Sequence, residues 1–74
     1  MNKARRKRIS DAIEKIAEAR QELDEICTEE QEGYDNLPEG IQMSENGEKM
    51  QNAIDSLTEV DSNLDDALNT LDSI

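Results

Sequence analysis

The chain has no histidine, no tryptophan and no phenylalanine, and within its 74 residues there are one cysteine, one tyrosine, one proline and three glycines. Each shortage closes off a class of protein. With no histidine, and with Cys27 as the only thiol, neither a Cys/His zinc site nor a disulfide framework can form, and a cysteine–histidine catalytic pair is excluded. Neither G-x-x-x-x-G-K-[ST] nor G-x-G-x-x-G occurs, so there is no phosphate-cradling signature. No run of about 18 apolar residues is present for a membrane span, and the basic start "MNKARRKR" leads into charged, helix-forming sequence in place of the apolar stretch of a signal peptide. A soluble, cytoplasmic protein without enzymatic activity or cofactor is expected.

So small a chain also lacks the means for a large core. Single domains below roughly 70 to 80 residues rarely hold more than about 3–5 kcal/mol unless something staples them. With disulfides and zinc excluded, self-association is the staple that remains.

Charge is what the chain has in excess. Nineteen acidic and eight basic side chains give a net charge of −11. Five of the eight cations, Lys3, Arg5, Arg6, Lys7 and Arg8, lie in the first eight residues. Residues 1–8 therefore stand at +5, and residues 9–74, with three basic and nineteen acidic side chains, at −16. Such a balance argues against a general nucleic-acid-binding surface and for solubility or a basic partner.

Low aromatic and high charged content would suit a disordered chain, but the apolar spacing opposes that. With Ile9 as a heptad d position, Ile16, Leu23, Glu30 and Leu37 follow at d, and Ile13, Arg20, Cys27 and Tyr34 fall at a. Farther on, Met43, Met50, Leu57, Leu64 and Leu71 occupy d, and Gly47, Ile54, Asp61 and Leu68 occupy a. The g positions are small or apolar as well: Ala12, Ala19 and Ile26 in the first half, Ala53, Val60, Ala67 and Ile74 in the second. An a/d/g stripe is wide enough to touch more than one neighbour. The reading is a single all-α unit over 1–74, an antiparallel two-helix coiled-coil hairpin that dimerises into a four-helix bundle. Helix 1 covers about 3–35, the turn about 36–43, and helix 2 about 44–72.

The stretch "EGYDNLPEGIQMSENGEKM" holds the turn chemistry. Pro38 disfavours helical geometry at Leu37, Gly40 offers a positive φ, and Ser44 followed by Glu45 resembles an N-cap with an acidic first turn. Gly47 sits about one layer from Tyr34, where its missing side chain would make room for the ring. Tyr34, Leu37, Pro38, Ile41 and Met43 read as an apolar plug closing the bundle end; the alternative is a partner-docking tip formed by Tyr34, Leu37, Ile41 and Met43.

Two polar residues interrupt the stripe. Arg20 and Asp61 are both a positions almost equally far from the turn, so folding the hairpin brings them within about one helical turn of each other. A register-fixing ion pair is expected; an internal polar site for a ligand or ion is the alternative. Cys27, also at a, reads as a buried inert thiol.

The basic arm opposes the helix macrodipole, which already makes an N-terminus positive. In the hairpin it would lie beside Asp65, Asp66, Asp72 and the end of helix 2, an internal electrostatic clasp; contact with nucleic acid or an acidic protein is the other reading. The outer faces carry Asp11, Glu14, Glu18, Glu22, Glu25, Glu29 and Glu32 on helix 1 and Glu45, Glu48, Asp55, Glu59, Asp65, Asp66 and Asp72 on helix 2. They are either solvated surface or a mimic of a nucleic-acid backbone. "DSNLDDALNTLD" places Asp61, Asn63 and Asp65 at the first, third and fifth positions of a calcium-loop template, but Asp66 replaces its glycine and Asp72 its glutamate, and the heptad leucines run through it.

At "YDNLPEGIQMSENGEKMQNAIDSLTE", and in the "MNKARRK" start, the sequence resembles small uncharacterised helical proteins of phages, prophages and mobile elements of Gram-positive bacteria. The resemblance implies a context, the host cytoplasm, and a class of role: regulators or inhibitors acting on a host or defence protein. The partners expected are a second copy, a host or defence protein with a basic surface, and nucleic acid only through the basic arm; a purely structural homo-oligomer is the further alternative.

Overall fold

A computed structural model describes residues 1–74 as three helices: α1 (Lys3–Asp35), α2 (Glu39–Gln42) and α3 (Glu45–Asp72). No strand is present. α1 and α3 pack antiparallel, and their Cα atoms fill a rod of 58 × 15 × 13 Å. The length follows from α1, whose 33 residues at the α-helical rise span about 50 Å.

Capping decides where the helices begin. The Asn2 side chain accepts a hydrogen bond from the Arg5 N–H at 2.8 Å, satisfying one of the orphan donors of an N-terminus whose first turn contains no acid. At the other end, the Asn36 N–H donates to the Glu32 carbonyl at 3.1 Å and the Leu37 N–H to the Tyr34 carbonyl at 3.1 Å. Pro38, with no N–H to offer, then prevents continuation.

The reversal differs from the expected glycine turn. Pro38 opens a separate helical turn, its carbonyl accepting from the N–H groups of Ile41 at 2.9 Å and Gln42 at 3.0 Å. No residue has a positive φ, so Gly40 does not serve as a left-handed hinge; it lies inside α2 with open space around it. Ser44 starts α3: its hydroxyl accepts from the Gly47 N–H at 3.4 Å and lies against the Ile41 carbonyl, while Glu45 and Glu48 face the positive end of the dipole.

Gly47 has a different neighbour from the one its sequence position suggested. A Cβ there would collide with the Gln42 carbonyl and come within 2.6 Å of the Ile41 carbonyl, so the missing side chain admits the backbone of α2 and not the Tyr34 ring. Gln42, in turn, reaches back to donate to the Tyr34 carbonyl at 2.9 Å. The turn is thus closed by backbone and amide contacts.

Between α1 and α3 the a and d positions form the seam. Contacts join Arg6 to Ile74, Arg20 to Asp61 and Cys27 to Ile54, a steady register in which the paired residue numbers shift in opposite directions. Along it Ile9, Ile13, Ile16, Leu23 and Leu37 from α1 and its C-terminal flank, and Met50, Leu57, Leu64, Leu68 and Leu71 from α3, are half-buried. Only Ile54, at 6% exposure, is a buried hydrophobic residue. The Cys27 thiol is half-buried, less enclosed than expected, with Sγ 4.0 Å from the Ile54 carbonyl oxygen. Two helices can shield a seam but cannot enclose it.

Candidate interaction site

At mid-rod the seam holds ions. Arg20 Nε donates to Asp61 Oδ1 at 2.8 Å and Nη2 to Oδ2 at 3.2 Å, a two-pronged contact, while Nη1 donates to Asp65 Oδ1 at 3.0 Å. Hydrogen bonds from Arg20, partly offset by desolvation, hold the Asp61 carboxyl below the usual carboxylate range; the same bonds push the guanidinium further up. The layer is half-open to water, with 32% of the Arg20 side chain and 44% of Asp61 exposed. Asp65 is a partner that the sequence reading placed with the basic arm. One helical turn beyond Asp61, it was recognisable as an i,i+4 neighbour.

The expected clasp of the basic arm shrinks to one contact. Arg6 Nη1 donates to the Ile74 carbonyl at 3.1 Å, and Lys7 pairs within its own helix with Asp11 at 3.3 Å. Lys3, Arg5 and Arg8 make no ion pair, and neither Asp66 nor Asp72 is bridged to the arm. Arg5 and Arg8 instead line a shallow groove of about 350 Å³ with Met1, Ile9 and Ala12.

At the turn, Tyr34 and Leu37 are half-buried, whereas Pro38 is exposed, Ile41 is 47% exposed and Met43 81% exposed. Met43 therefore leaves the d position that its spacing assigned to it, because it caps α2 and does not belong to α3. The plug contains Tyr34 and Leu37 only.

The broadest feature is a difference between the two sides of the seam. Because the helices run in opposite directions, the g positions of both line one side and the e positions of both line the other. The e side is Ser10, Ala17, Asp24 and Gln31 on α1 with Gln51, Thr58, Asp65 and Asp72 on α3. Arg20 leans this way, toward Asp65, and the Thr58 hydroxyl donates to the Ile54 carbonyl at 2.9 Å. On the g side lie Ala12, Ala19, Ile26, Ala53, Val60, Ala67 and Ile74, every one of them exposed. Ile26 is 43%, Val60 38% and Ile74 51% exposed. The e side is polar and bridged between the helices at one point, Arg20 to Asp65; the g side is an apolar strip facing water.

The fourteen carboxylates of the outer faces are all exposed. Residues 61–72 are helical, so the calcium-loop spacing does not produce a loop, and no three Cys, Asp or Glu side chains are gathered as a metal-holding group. No helix is long and apolar enough to cross a membrane.

Comparison with known proteins found no matching family model, no similar curated protein and no similar solved structure. The resemblance to proteins of phages and mobile elements rests on the sequence pattern alone.

Proposed function

We propose that this chain is a non-enzymatic protein-interaction module that works as a homodimeric four-helix bundle, two hairpins meeting through their g sides. The observation that carries this reading is the apolar strip left open on a molecule with almost no enclosed core. Area gives it a scale. A folded monomer of 8.4 kDa exposes about 4,600 Å², whereas this hairpin exposes 5782 Å². The excess, about 1,200 Å², exceeds the roughly 800 Å² that each partner contributes to a standard interface. A second copy is the occupant that suits the strip, since the small residues at g allow the helices of two hairpins to approach closely.

Sedimentation equilibrium at micromolar concentration tests the proposal. The expected mass is twice the 8.4 kDa of the chain, with a helix-melting temperature that rises with concentration. A stably folded monomer with a concentration-independent melt overturns it.

With the g sides covered, the surface that remains is carboxylate-rich. This supports a protein partner with a basic surface, a host or defence protein on which the bundle acts as a phage-encoded inhibitor or accessory factor. Such binding weakens steeply with salt and is lost when Glu14, Glu18 and Glu25 become glutamine; indifference to those substitutions counts against it.

A further inference from the structure

Two hairpins can meet face to face in two ways, with their turns at the same end or at opposite ends. Resting on the bundle reading, we infer that the second copy lies with its turn at the opposite end, so that α1 packs antiparallel on α1 of the second copy and α3 on its α3.

Charge along the rod is the first reason. The open end, residues 67–74 with 1–14 that run alongside them, carries five cations against Asp11, Glu14 and Asp72, +2 in all. The turn end, residues 29–49, carries Glu29, Glu30, Glu32, Asp35, Glu39, Glu45 and Glu48 against Lys49, −6 in all. Turns at the same end would set −6 beside −6 and +2 beside +2. Turns at opposite ends set unlike charges together at both ends of the bundle.

The second reason lies in individual positions. With opposite turns the two-fold axis passes near Ala19 and Val60, the central pair of the g side, and each residue of α1 meets one as far beyond Ala19 as it lies before it. Ala12 then meets Ile26 of the second copy, and Ala53 meets Ala67, so the two layers flanking the central Val60 pair each combine three alanines with one isoleucine. In the other arrangement the two Ile26 side chains share a layer and four alanines share another, which leaves one layer crowded and one loosely filled.

Beside this strip, on the outer edge of α1, the c positions run Arg8, Lys15, Glu22 and Glu29, basic toward the open end and acidic toward the turn. All four are exposed and none has an ion-pair partner within the hairpin. About the same axis Arg8 meets Glu29 of the second copy and Lys15 meets Glu22. The corresponding edge of α3, apart from Lys49, is uncharged: Ser56, Asn63 and Thr70. With turns at the same end, α1 would face α3 of the second copy, and Arg8, Lys15 and Glu22 would meet only these neutral residues. The unpaired charge ladder of α1 is complementary to itself in one orientation only.

Exchanging the signs tests this. One variant carries Arg8→Glu with Lys15→Glu; the other carries Glu22→Lys with Glu29→Lys. Alone, each sets like charges against each other four times over, and its dimer dissociation constant is expected to rise at least tenfold. Mixed, the two restore every pair, so a heterodimer forms in preference to either homodimer, read by native mass spectrometry and sedimentation. If folding depends on assembly, mixing also restores helicity lost by the separate variants, so the outcome is readable even where one alone unfolds. Loss without rescue on mixing, or homodimers of both variants at wild-type strength, overturns the orientation while leaving a wild-type dimer intact. A wild-type monomer would instead remove the bundle itself.

Discussion

The two sides of the seam are made by the same helices at the same register, yet they solve opposite problems. On the e side, Arg20 leans out from the seam, where it holds Asp61, to reach Asp65 across the hairpin through hydrogen bonds that tolerate water, and the Thr58 hydroxyl bonds within its own helix. On the g side nothing closes the hairpin, and alanine, valine and isoleucine stand at every g position from Ala12 to Ile26 and from Ala53 to Ile74. A half-solvated ion pair fixes which residues are opposite each other while contributing little cohesion. Exposed small apolar residues do the converse: they add nothing within the hairpin and gain their effect only when another helical surface removes them from water. The hairpin therefore has one polar side bridged by an ion pair and one apolar side open to water.

The largest effect is expected where both sides depend on the same residue. Replacing Ile54 by alanine removes the one enclosed hydrophobic side chain and should cost about 2–4 kcal/mol. That approaches the whole stability of roughly 3–5 kcal/mol available to a domain of this size, so far-UV circular dichroism of the variant should show a largely unfolded chain. A cooperative melt close to the wild type would mean that the seam is not where the cohesion lies.

Next comes the contrast between the sides. Val60→Glu places a charge at the centre of the g side and should raise the dimer dissociation constant at least tenfold, about 1.4 kcal/mol. Thr58→Glu, nearly the same change on the e side of the same helix, should leave association within twofold of the wild type. Equal effects in sedimentation would erase the distinction between the two sides.

The smallest effect concerns the ion pair. Asp61 has its folded pKa lowered by Arg20, so its contribution is fully present above the unfolded value of about 3.9 and is lost as pH falls through the folded value. The difference in stability between the wild type and Asp61→Asn should stay constant from neutral pH down to about pH 5 and shrink below about pH 4. Subtracting the variant cancels the shared effect of neutralising the other carboxylates. A difference that instead shrinks between pH 7 and 5 would assign the pair's role to another group.

How much of this can be read in the sequence depends on what each feature rests on. Heptad spacing fixes which residues face the seam, and two polar interruptions equally far from a Pro-bearing turn suffice to set Arg20 beside Asp61. The contrast between g and e positions is equally a matter of spacing; the g side was visible as a widened stripe, and the polar e side was there to be set against it. The turn is another matter. Hydropathy does not encode where the carbonyls of Ile41 and Gln42 point, and those decide why residue 47 is glycine, why Gly40 needs no unusual φ, and why Met43 leaves the seam. Asp65 is a middle case: its i,i+4 spacing from Asp61 puts it within reach of Arg20, and which of the carboxylates in reach a long arginine takes is decided by its rotamer.

The Gln42 contact that closes the turn beside Gly47 also bears on the order in which one hairpin should close. Tyr34 and Gln42 are eight residues apart, whereas Arg6 and Ile74 are separated by 68. Closing the shorter loop costs less entropy, so pairing starts at the turn and advances layer by layer toward the termini. Kinetically the molecule is a zipper with one fixed end. Within a single hairpin the basic arm, farthest from that end, is expected to be the last part held and the first released.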